Sequence, residues 1–387
     1  MFDLVILAGG KGTRLKKKLN GLPKPLVKIN NSHFLDYLLC KISKFFFANI
    51  YIISGYRGSF IKTKYHNQTI NLTPIKVIKE KKLKGTGGAL FEIKKLVKND
   101  FFLINADTIF DINFYDLIKN FNKKKYIGCI ALVKSKTYQE NKKLNSLFIK
   151  KNTQLYLINS KKSNYMNGGV YFFKKNFLEN IKNKKSSLEN DILPSLIKSK
   201  KICGKFYNNY FLDIGLPKNL IKAKKDFKKI FFKPAIFLDR DGTINCDKGY
   251  TYKSNNLKLI KKTINFLKKR NNHYLFIVTN QSGIAKNKFK IKDFLKFQKA
   301  LFFRLKKKGI FINETKFCPH HSDGIIKKFK KNCKCRKPNN KMIDDLLKYW
   351  PIIKEKSLMI GDSNIDELAA KKSNLKFKYI QNINKND

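Results

Sequence analysis

Arginine is scarce in this chain of 387 residues: six of the 84 basic residues are arginine, and the others are lysine. Only 27 acidic residues offset them, which leaves a formal net charge of +57 at pH 7. Proteins that read bases or phosphates rely on the bidentate fork of arginine, so specific nucleic-acid binding is disfavoured despite the charge. The lysines are scattered, which indicates solvated helix faces that also attract anionic substrates.

Long apolar runs are absent as well. No stretch of about 18 consecutive apolar residues occurs, so neither a membrane-spanning helix nor a membrane partner is predicted. The opening MFDLVILAGG meets a glycine loop within ten residues, which indicates a first strand rather than a signal segment. Cys40, Cys129, Cys203 and Cys246 show no pairing pattern and fit free thiols of a reducing compartment. We therefore expect a cytoplasmic protein.

Two segments share one pattern: an apolar strand, then at once a loop of glycine or aspartate, then a helix-like stretch. They are FDLVILAGGKGTRL (2–15) and AIFLDRDGTIN (235–245). Each is typical of the first βα unit of an open α/β sheet, where ligands bind at the carboxyl ends of the strands. A lysine-rich segment that closes on Pro234 separates them. The sequence thus predicts two α/β domains, residues 1–230 and 231–387.

The first half carries two glycine-rich loops and a lysine held between prolines. The first loop consists of Gly9, Gly10, Gly12, Thr13 and Arg14. Glycines let backbone amides approach a polyphosphate, and this loop matches neither the Walker nor the dinucleotide-binding pattern. LPKPL fixes Lys24 on a rigid segment, KGTGGAL (84–90) forms a second glycine turn, and the strand FFLINADT delivers Asp107. Together these features indicate phosphate binding beside a metal-binding carboxylate.

In this order the motifs resemble the sugar-1-phosphate nucleotidyltransferase family, whose fold is Rossmann-like with a mixed sheet of the GT-A type. The resemblance continues through MNGGVYFF (166–173), SLENDILP (187–194) and FLDIGLP (211–217). It implies transfer of a nucleotidyl group from a nucleoside triphosphate to a sugar 1-phosphate, with release of pyrophosphate. It also implies that Asp107 and Asp213 hold Mg²⁺, although a strand-end aspartate that caps a turn is the alternative for Asp213.

The same resemblance distributes the other residues of the site. Triphosphate contacts fall to Gly10, Arg14 and Lys24. The remaining nucleotide-binding positions are Gly9, Gly12, Thr13, Gly85, Thr86, Gly87 and Gly88, of which Gly87 and Gly88 are expected to face the base. The sugar pocket is assigned to Asn167, Gly168, Gly169 and Glu189. One departure is Ala106, which replaces the usual glycine before the metal aspartate, and its methyl group is expected to narrow the pocket near the sugar.

The second half opens with FLDRDGT (237–243), in which alternation along the strand turns Asp239 and Asp241 toward one side. One carboxylate can then attack phosphorus while the other transfers protons. Alone, this pair also fits a metal site or a capped turn. Here it is followed by Thr279 at a strand end, Lys337 in CRKP, and GDSNID (361–366).

That order resembles the haloacid-dehalogenase superfamily of phosphatases and implies a HAD-like Rossmannoid fold. The segment between Asp241 and Thr279 is too short for a large cap domain. The resemblance implies that Asp239 is the nucleophile and that Asp241 is the general acid and then the general base. The other implied roles are Mg²⁺ binding by Asp239, Asp362 and the backbone carbonyl of Asp241, phosphoryl stabilisation by Lys337 and Thr279, and orientation by Asp366.

Within the two families, DRDGTIN, TNQSGIA, CPHH and C-x-CRKP most resemble heptose 1,7-bisphosphate phosphatases, and the first half resembles heptose 1-phosphate guanylyltransferases. The implied substrate-side residues are Asn245, Asp247, Tyr250, Asn280, Gln281, Ser282 and Arg336. The expected partners are heptose phosphates and a nucleoside triphosphate, with GTP favoured over CTP, UTP, dTTP and ATP. Two alternatives stay open: a histidinol-phosphate-type phosphatase fused to another sugar nucleotidyltransferase, and a non-catalytic nucleic-acid-binding scaffold.

The stretch CPHHSDGIIKKFKKNCKCRKP (318–338) contains a C-x-H pair and a C-x-C pair. Four soft ligands in two tight pairs, Cys318, His320, Cys333 and Cys335, suggest tetrahedral zinc, with His321 the lesser candidate. The spacing is not that of a C₂H₂ finger, and four protein ligands leave no open position for catalysis. We therefore predict a structural zinc that fixes the loop carrying Lys337, with metal-free thiols as the alternative.

Overall fold

The computed structural model describes residues 1–384 except residues 11, 20, 120, 135–145, 150–154, 159–164 and 183–184. The chain forms two compact units, Met1–Asp226 and Phe227–Asp387. The division falls within the helix Pro217–Phe231, close to the limit expected from the lysine-rich segment. In the described residues, no helix combines the length and the apolar character needed to cross a membrane.

The N-terminal unit alternates strands and helices along most of its length. Its strands are β1 (Phe2–Ala8), β2 (Lys28–Ile29), β3 (Ser32–His33), β4 (Phe47–Ser54), β5 (Thr69–Ile70), β6 (Thr73–Lys79), β7 (Phe101–Asn105), β8 (Thr108–Phe110), β9 (Gly128–Lys134), β10 (Ser146–Ile149), β11 (Leu155–Ile158), β12 (Tyr165–Phe173), β13 (Ile202–Phe206) and β14 (Phe211–Asp213). Its helices are α1 (Phe34–Ile42), α2 (Gly58–Tyr65), α3 (Gly85–Ile93), α4 (Phe114–Leu117), α5 (Leu193–Lys198) and α6 (Pro217–Phe231).

The main sheet of this unit is mixed, as predicted. Among the described residues its strand order is β11-β10-β12-β7-β1-β4-β6-β5, and β9 pairs with β12 on one side and with β13 on the other. β7, β1, β4 and β6 run parallel, whereas β12 is antiparallel to β7. The central strand β1 buries Leu4, Val5 and Ile6 completely, as expected for a parallel strand covered on both faces. Because Leu7 of β1 pairs with Asn105 of β7, the loops that follow these strands meet at one sheet edge.

The C-terminal unit is a parallel α/β unit. Its strands are β15 (Ala235–Leu238), β16 (Tyr274–Asn280), β17 (Glu314–Cys318), β18 (Leu358–Gly361) and β19 (Lys376–Tyr379), and its helices are α7 (Lys261–Lys268), α8 (Ile291–Lys307), α9 (Lys341–Tyr349) and α10 (Asn364–Lys372). In its described part the sheet order is β17-β16-β15-β18-β19, with every pairing parallel.

This order reverses direction at the central strand β15, which is the position where ligands bind in doubly wound sheets. β15, β16 and β18 are neighbours, so the residues at their carboxyl ends meet at one edge. Between β15 and β16 the described residues form only α7 and a short 3₁₀ turn, Ser254–Asn256. The unit therefore lacks a large cap at this point, in agreement with the predicted fold class.

Candidate active sites

In the N-terminal unit, Lys24 lies between two carboxylates that are far apart in the sequence. Its Nζ is 2.5 Å from Asp107 Oδ2 and 3.5 Å from Asp213 Oδ1. Asp107 follows β7, and Asp213 ends β14, whose pairing with β8 places Asp213 opposite Thr108. Pairing of β8 with β14 brings the two aspartates together, and the 3₁₀ turn Lys24–Leu26 places the lysine between them.

The charges of this centre shift the pKa values of Lys24 and Asp213. Burial alone would lower the pKa of Lys24, but the carboxylates of Asp107 and Asp213 outweigh it and raise that pKa above its ordinary value. Burial raises the pKa of Asp213, the charge of Asp107 raises it further, and Lys24 opposes both. Carboxylate oxygens are the ligands that Mg²⁺ prefers, so this pair fits the metal role implied by the resemblance.

A cavity of about 340 Å³ adjoins Asp107 and is lined by both glycine loops. Its lining comprises Leu7, Gly9, Gly10, Glu80, Leu83, Gly85, Thr86, Ala89, Asn105, Asp107 and Glu189. Gly12 and Gly85 adopt φ values of +62° and +80°, in the left-handed region that favours glycine. Gly12 is packed against Leu19 and Lys24, so it shapes the segment that delivers the lysine.

Six predicted nucleotide-binding residues do not line this cavity: Gly12 and Lys24, described above, and Thr13, Arg14, Gly87 and Gly88. Thr13 and Arg14 are exposed on the 3₁₀ turn Thr13–Lys18. Gly87 and Gly88 are buried, and their backbone N–H groups donate to the carbonyl oxygen of Ser186 at 2.9 and 3.2 Å. These two glycines let α3 pack closely against the segment around Ser186, whereas we expected them to face a base.

Glu80 is a cavity residue that the sequence analysis missed. It directly follows β6, lines the same cavity as both glycine loops, and is only 8% exposed. Burial raises the pKa of its carboxyl group. Its Oε1 atom is buried and has no hydrogen-bond partner among the described residues. The sequence did contain a signal for this residue: an acidic residue directly after an alternating strand and shortly before the GTGG turn.

A second cavity, of about 220 Å³, shares Asn105 and Glu189 with the first. All four predicted sugar-pocket residues line it, namely Asn167, Gly168, Gly169 and Glu189. Asn105 and Asp213 also belong to its lining. Thr86 donates from its hydroxyl to Glu189 Oε2 at 2.7 Å, which ties the second glycine turn to this pocket. Adjacent cavities that share two walls can hold two reactants side by side.

Ala106 does not narrow either cavity, which corrects the expectation from the sequence. It is 1% exposed and is not among the residues that line the cavities. Its backbone N–H donates to the carbonyl of Leu7 at 2.9 Å. Ala106 lies in the turn that follows β7, where its neighbours Asn105 and Asp107 line the first cavity while its own side chain is buried in the core.

In the C-terminal unit, the ammonium group of Lys337 joins two buried aspartates. Its Nζ is 2.5 Å from Asp239 Oδ1 and 2.6 Å from Asp366 Oδ1. Asp239 follows β15, and Asp366 lies in the first turn of α10, where its carboxylate also accepts the hydroxyl of Ser363. Oxygen atoms of Asp239, Asp362 and Asp366 lie within 4.8 Å of one another. The three residues thus form one acidic centre around one lysine.

Burial raises the pKa of Asp239 to about 7, with Lys337 opposing the shift. Burial would lower the pKa of Lys337, but Asp239 and Asp366 outweigh it and raise that pKa. Burial also raises the pKa of Asp362, and the charge of Asp366 adds to the effect. Three carboxylates against one ammonium group leave a negative excess, so the donor set fits a divalent cation such as Mg²⁺.

Several residues assigned to the substrate side contact groups for which the resemblance implies catalytic roles. Asn245 and Gln281 are 0% and 3% exposed, and their side-chain amides donate to Asp241 at 3.0 and 2.8 Å. Gln281 also donates to the hydroxyl of Thr279 at 2.9 Å. Asn280 accepts the backbone N–H of Lys337 and donates to its carbonyl, each at 3.0 Å. These three side chains orient protein groups.

The other predicted substrate-side residues are more open. Asp247 is exposed and accepts the hydroxyl of Thr251 at 2.6 Å, and Tyr250 is 41% exposed with a φ of +53°. Ser282 is half-buried directly after Gln281. Arg336 is half-buried, and its Nη1 donates to the carbonyl of His320 at 3.4 Å. These four residues remain available to a substrate.

The four soft ligands of the CPHH and C-x-C segments come together in the structure. The three cysteine Sγ atoms are 3.1–3.4 Å apart, and His320 Nδ1 is 3.4 Å from Cys335 and 3.6 Å from Cys318. Three sulfurs and one imidazole nitrogen at these separations fit a tetrahedral zinc site. His321 is not part of the group; its Nδ1 accepts the backbone N–H of Asp323.

Comparison with known proteins agrees with this division of chemistry. Residues 4–230 match the family model of nucleotidyl transferases, and residues 325–380 match that of haloacid dehalogenase-like hydrolases. The chain belongs to the nucleotidyl transferase family, and its C-terminal unit is a haloacid dehalogenase-like phosphatase domain. Both resemblances predicted from the motifs are confirmed.

The relatives are more specific. D-glycero-alpha-D-manno-heptose 1-phosphate guanylyltransferase of Campylobacter jejuni is 30% identical over 219 residues, 56% of this chain and 95% of the relative. D-glycero-beta-D-manno-heptose-1,7-bisphosphate 7-phosphatase of Escherichia coli K12 is 37% identical over 149 residues, 38% of this chain and 78% of the relative. These relatives favour neither the histidinol-phosphate-type alternative nor a non-catalytic scaffold.

A solved structure supports the fold of the N-terminal unit. HddC from Yersinia pseudotuberculosis is 27% identical, covers 59% of this chain and 100% of its own, and superposes with a TM-score of 0.50. Its complex with GMP-PN superposes with a TM-score of 0.51 at the same coverage. The solved protein in that complex therefore holds a guanine nucleotide analogue on a fold similar to this one.

The contact between Asn280 and Lys337 predicts a measurable loss of stability. In Asn280→Leu, the backbone N–H and C=O of Lys337 lose their partners, so the C-terminal unit should lose about 1–3 kcal/mol of unfolding free energy. Trp350, the one tryptophan of the chain, is buried against Tyr274 and Phe276, so its fluorescence during urea unfolding reports on this unit. Asn272→Leu, in an exposed loop, is the control, and equal midpoints for the two variants would contradict the role given to Asn280.

Proposed function

We propose that this chain is a bifunctional enzyme of nucleotide-activated heptose synthesis. Residues 231–387 remove the 7-phosphate of D-glycero-D-manno-heptose 1,7-bisphosphate, and residues 1–230 transfer a guanylyl group from GTP to the resulting heptose 1-phosphate. The observation that carries the proposal is a lysine–carboxylate centre in each unit, joined to relatives that act on heptose phosphates. The product of one reaction is the substrate of the other.

The phosphatase reaction uses two carboxylates in turn. An Asp239 oxygen bonds to phosphorus as the ester P–O bond breaks, and the sugar oxygen takes a proton from Asp241. Water then attacks the aspartyl-phosphate, gives its proton to Asp241, and releases phosphate with Asp239 regenerated. Lys337 and Thr279 neutralise the phosphoryl oxygens, and Asp239 with Asp362 would hold Mg²⁺, which supplies further charge neutralisation when bound.

The transferase reaction needs an anionic oxygen to approach an anionic phosphate. A phosphate oxygen of heptose 1-phosphate bonds to the α-phosphorus of GTP as the bond to the β-phosphate bridge breaks, and pyrophosphate leaves. Lys24, Arg14 and the amides of the first glycine loop offset the charge that develops. Asp107 and Asp213 would hold Mg²⁺, and Asn167 with Glu189 would bind the sugar in the smaller cavity.

The buried acid Glu80 supports GTP as the nucleotide. Guanine presents two neighbouring N–H donors, N1 and N2, whereas adenine, cytosine and uracil place an acceptor beside each donor. An ionised carboxylate accepts two such bonds and offers no donor. Glu80 lies in the cavity of the glycine loops with one oxygen lacking a partner among the described residues, so a guanine edge would complete its hydrogen bonding.

The cysteine–histidine cluster completes the proposal as a structural zinc site. Cys335 precedes Lys337 by two positions, so a metal bound there fixes the segment that delivers the catalytic ammonium group. A cytoplasmic setting is consistent with cysteines that are all free thiols in the structure. The same compartment supplies nucleoside triphosphates.

Single substitutions should separate the two activities. Asp239→Asn removes the nucleophile, so phosphate release from heptose 1,7-bisphosphate should fall at least about 1,000-fold while pyrophosphate release from GTP and heptose 1-phosphate persists. Asp107→Asn should do the reverse, because it removes a metal ligand of the other centre. Asp345→Asn, on the exposed side of α9, is the control. Loss of both activities in either variant would refute two independent sites.

Glu80→Gln should relax nucleotide choice. With one acceptor replaced by a donor, kcat/KM for GTP should fall about 10- to 100-fold, the size expected for a lost hydrogen bond to a charged group. Inosine triphosphate lacks the N2 amino group, so the wild-type preference for GTP over it should shrink in the variant. Glu92→Gln changes an exposed acid of α3 and is the control. An unchanged preference would remove Glu80 from base recognition.

Zinc removal should weaken the phosphatase selectively. The purified chain should contain about one zinc by elemental analysis, because its four ligands form one tetrahedral set. TPEN, which binds zinc far more tightly than magnesium, should lower the urea midpoint reported by Trp350 and reduce phosphate release, while nucleotidyl transfer is retained. Equal loss of both activities, or a zinc-free chain with full phosphatase activity, would count against a structural metal on the Lys337 loop.

A further inference from the structure

Arg240, the residue between the two catalytic aspartates, is among the largest fully buried side chains of the described chain, with 1% of its surface exposed. It lies against two aromatic rings of α8: its guanidinium carbon is 4.7 Å from the centroid of Phe297 and 5.4 Å from that of Phe294. The side chain therefore points into the core of the unit.

The guanidinium group holds Asp241 with two parallel hydrogen bonds. Nε donates to Asp241 Oδ1 at 3.0 Å, and Nη2 donates to Oδ2 at 2.7 Å. Nη2 also donates to the carbonyl of Thr251 at 3.2 Å and to Gln281 Oε1 at 3.1 Å. A bidentate pair of this kind fixes the plane of the carboxylate as well as its position.

Both oxygens of Asp241 receive a second donor. Asn245 donates to Oδ1 and Gln281 to Oδ2, so each oxygen accepts two N–H groups. Gln281 also donates to the hydroxyl of Thr279. The buried side chain of Gln281 thus connects Asp241, the proposed acid–base group, to Thr279, the proposed phosphoryl-binding residue.

This arrangement is costly for a purely structural contact. Arg240 Nη1 is buried without a hydrogen-bond partner among the described residues, and a buried charge with an unmet donor is unfavourable. Well-packed apolar side chains often replace buried ion pairs without loss of stability. The two parallel hydrogen bonds from Arg240 are therefore better explained by orientation of Asp241 than by a contribution to the stability of the unit.

We propose that Arg240 is a positioning residue that orients the carboxylate of Asp241 for proton transfer in the phosphatase reaction. The inference rests on the acid–base role proposed for Asp241. Arg240 acts through Asp241 and makes no contact with substrate, so its removal lowers kcat and leaves KM nearly unchanged. A misplaced proton-transfer group costs about 10- to 100-fold in rate.

The test compares four forms of the full chain, each with and without Asp241→Asn: wild type, Arg240→Met, Arg240→Lys and Arg270→Met. Arg270 stacks on Phe266 elsewhere in the unit, so it controls for loss of a packed guanidinium. Arg240→Met should lower kcat for phosphate release about 10- to 100-fold in the wild-type background and less than about 3-fold beside Asp241→Asn, because residues that act as a unit are not additive. Arg270→Met should change neither.

Arg240→Lys keeps the charge but lacks the fork, so its kcat should also fall. Nucleotidyl transfer and the Trp350 unfolding midpoint confirm that each variant is folded. If Arg240→Met is unfolded, the kcat of Arg240→Lys tests the inference on its own. Full kcat in Arg240→Lys, or an equal loss with and without Asp241→Asn, would overturn the inference. A wild-type chain that releases no phosphate would instead refute the proposed function.

Discussion

A lysine placed between carboxylates is the constraint on which both sites depend. Lys337 is 3% exposed and contacts Asp239 and Asp366, and its charge is what allows two acids to be buried beside it. Without a cation, burial drives carboxyl groups to take up protons, and a protonated Asp239 cannot attack phosphorus. The sheet order, the Asn280 contact and the cysteine–histidine cluster all serve to bring this one ammonium group to the end of β15.

The N-terminal unit also places a lysine between two carboxylates, but its three side chains are less buried. Lys24 is 12% exposed and its partners Asp107 and Asp213 are 31% and 38% exposed, so water and ligands reach this centre more readily. The difference suits the two proposed reactions. A carboxylate nucleophile needs a dry, fixed surrounding, whereas a centre that receives a whole triphosphate and its metal needs room. Two sites built from one kind of ion pair thus differ mainly in how far they exclude solvent.

The sequence predicted those parts of the sites that strand ends impose. Asp107 and Asp239 follow apolar strands and Thr279 lies near the end of one, and neighbouring parallel strands bring their carboxyl ends together. The ordered motifs at these strand ends also allowed the fold class and the family memberships to be predicted. Motifs locate a residue near a site but do not say where its side chain points. Asn245 and Gln281 were therefore assigned to substrate although they bind Asp241.

The roles of two further residues, Ala106 and Glu80, were not predicted, because the sequence does not show which way a side chain points. Ala106 is buried in the turn after β7 and does not face the cavity, which the neighbouring motif residues did not reveal. Glu80 belongs to no motif and was not singled out from the sequence, but it directly follows β6 and lies in the cavity wall. Burial of an individual side chain depends on long-range packing, and local pattern carries little of that information.

The scarcity of arginine acquires a meaning once the side chains are located. Most basic positions of this chain carry lysine, as expected where charge alone is required. Arg57, Arg304 and Arg336 each donate to a backbone carbonyl, and Arg240 forms the fork on Asp241. Lysine lacks the planar group that these four contacts use, so these arginines mark positions where geometry matters in addition to charge. In a chain so rich in lysine, an arginine thus points to a site where the direction of hydrogen bonds matters, whereas a lysine need only supply positive charge.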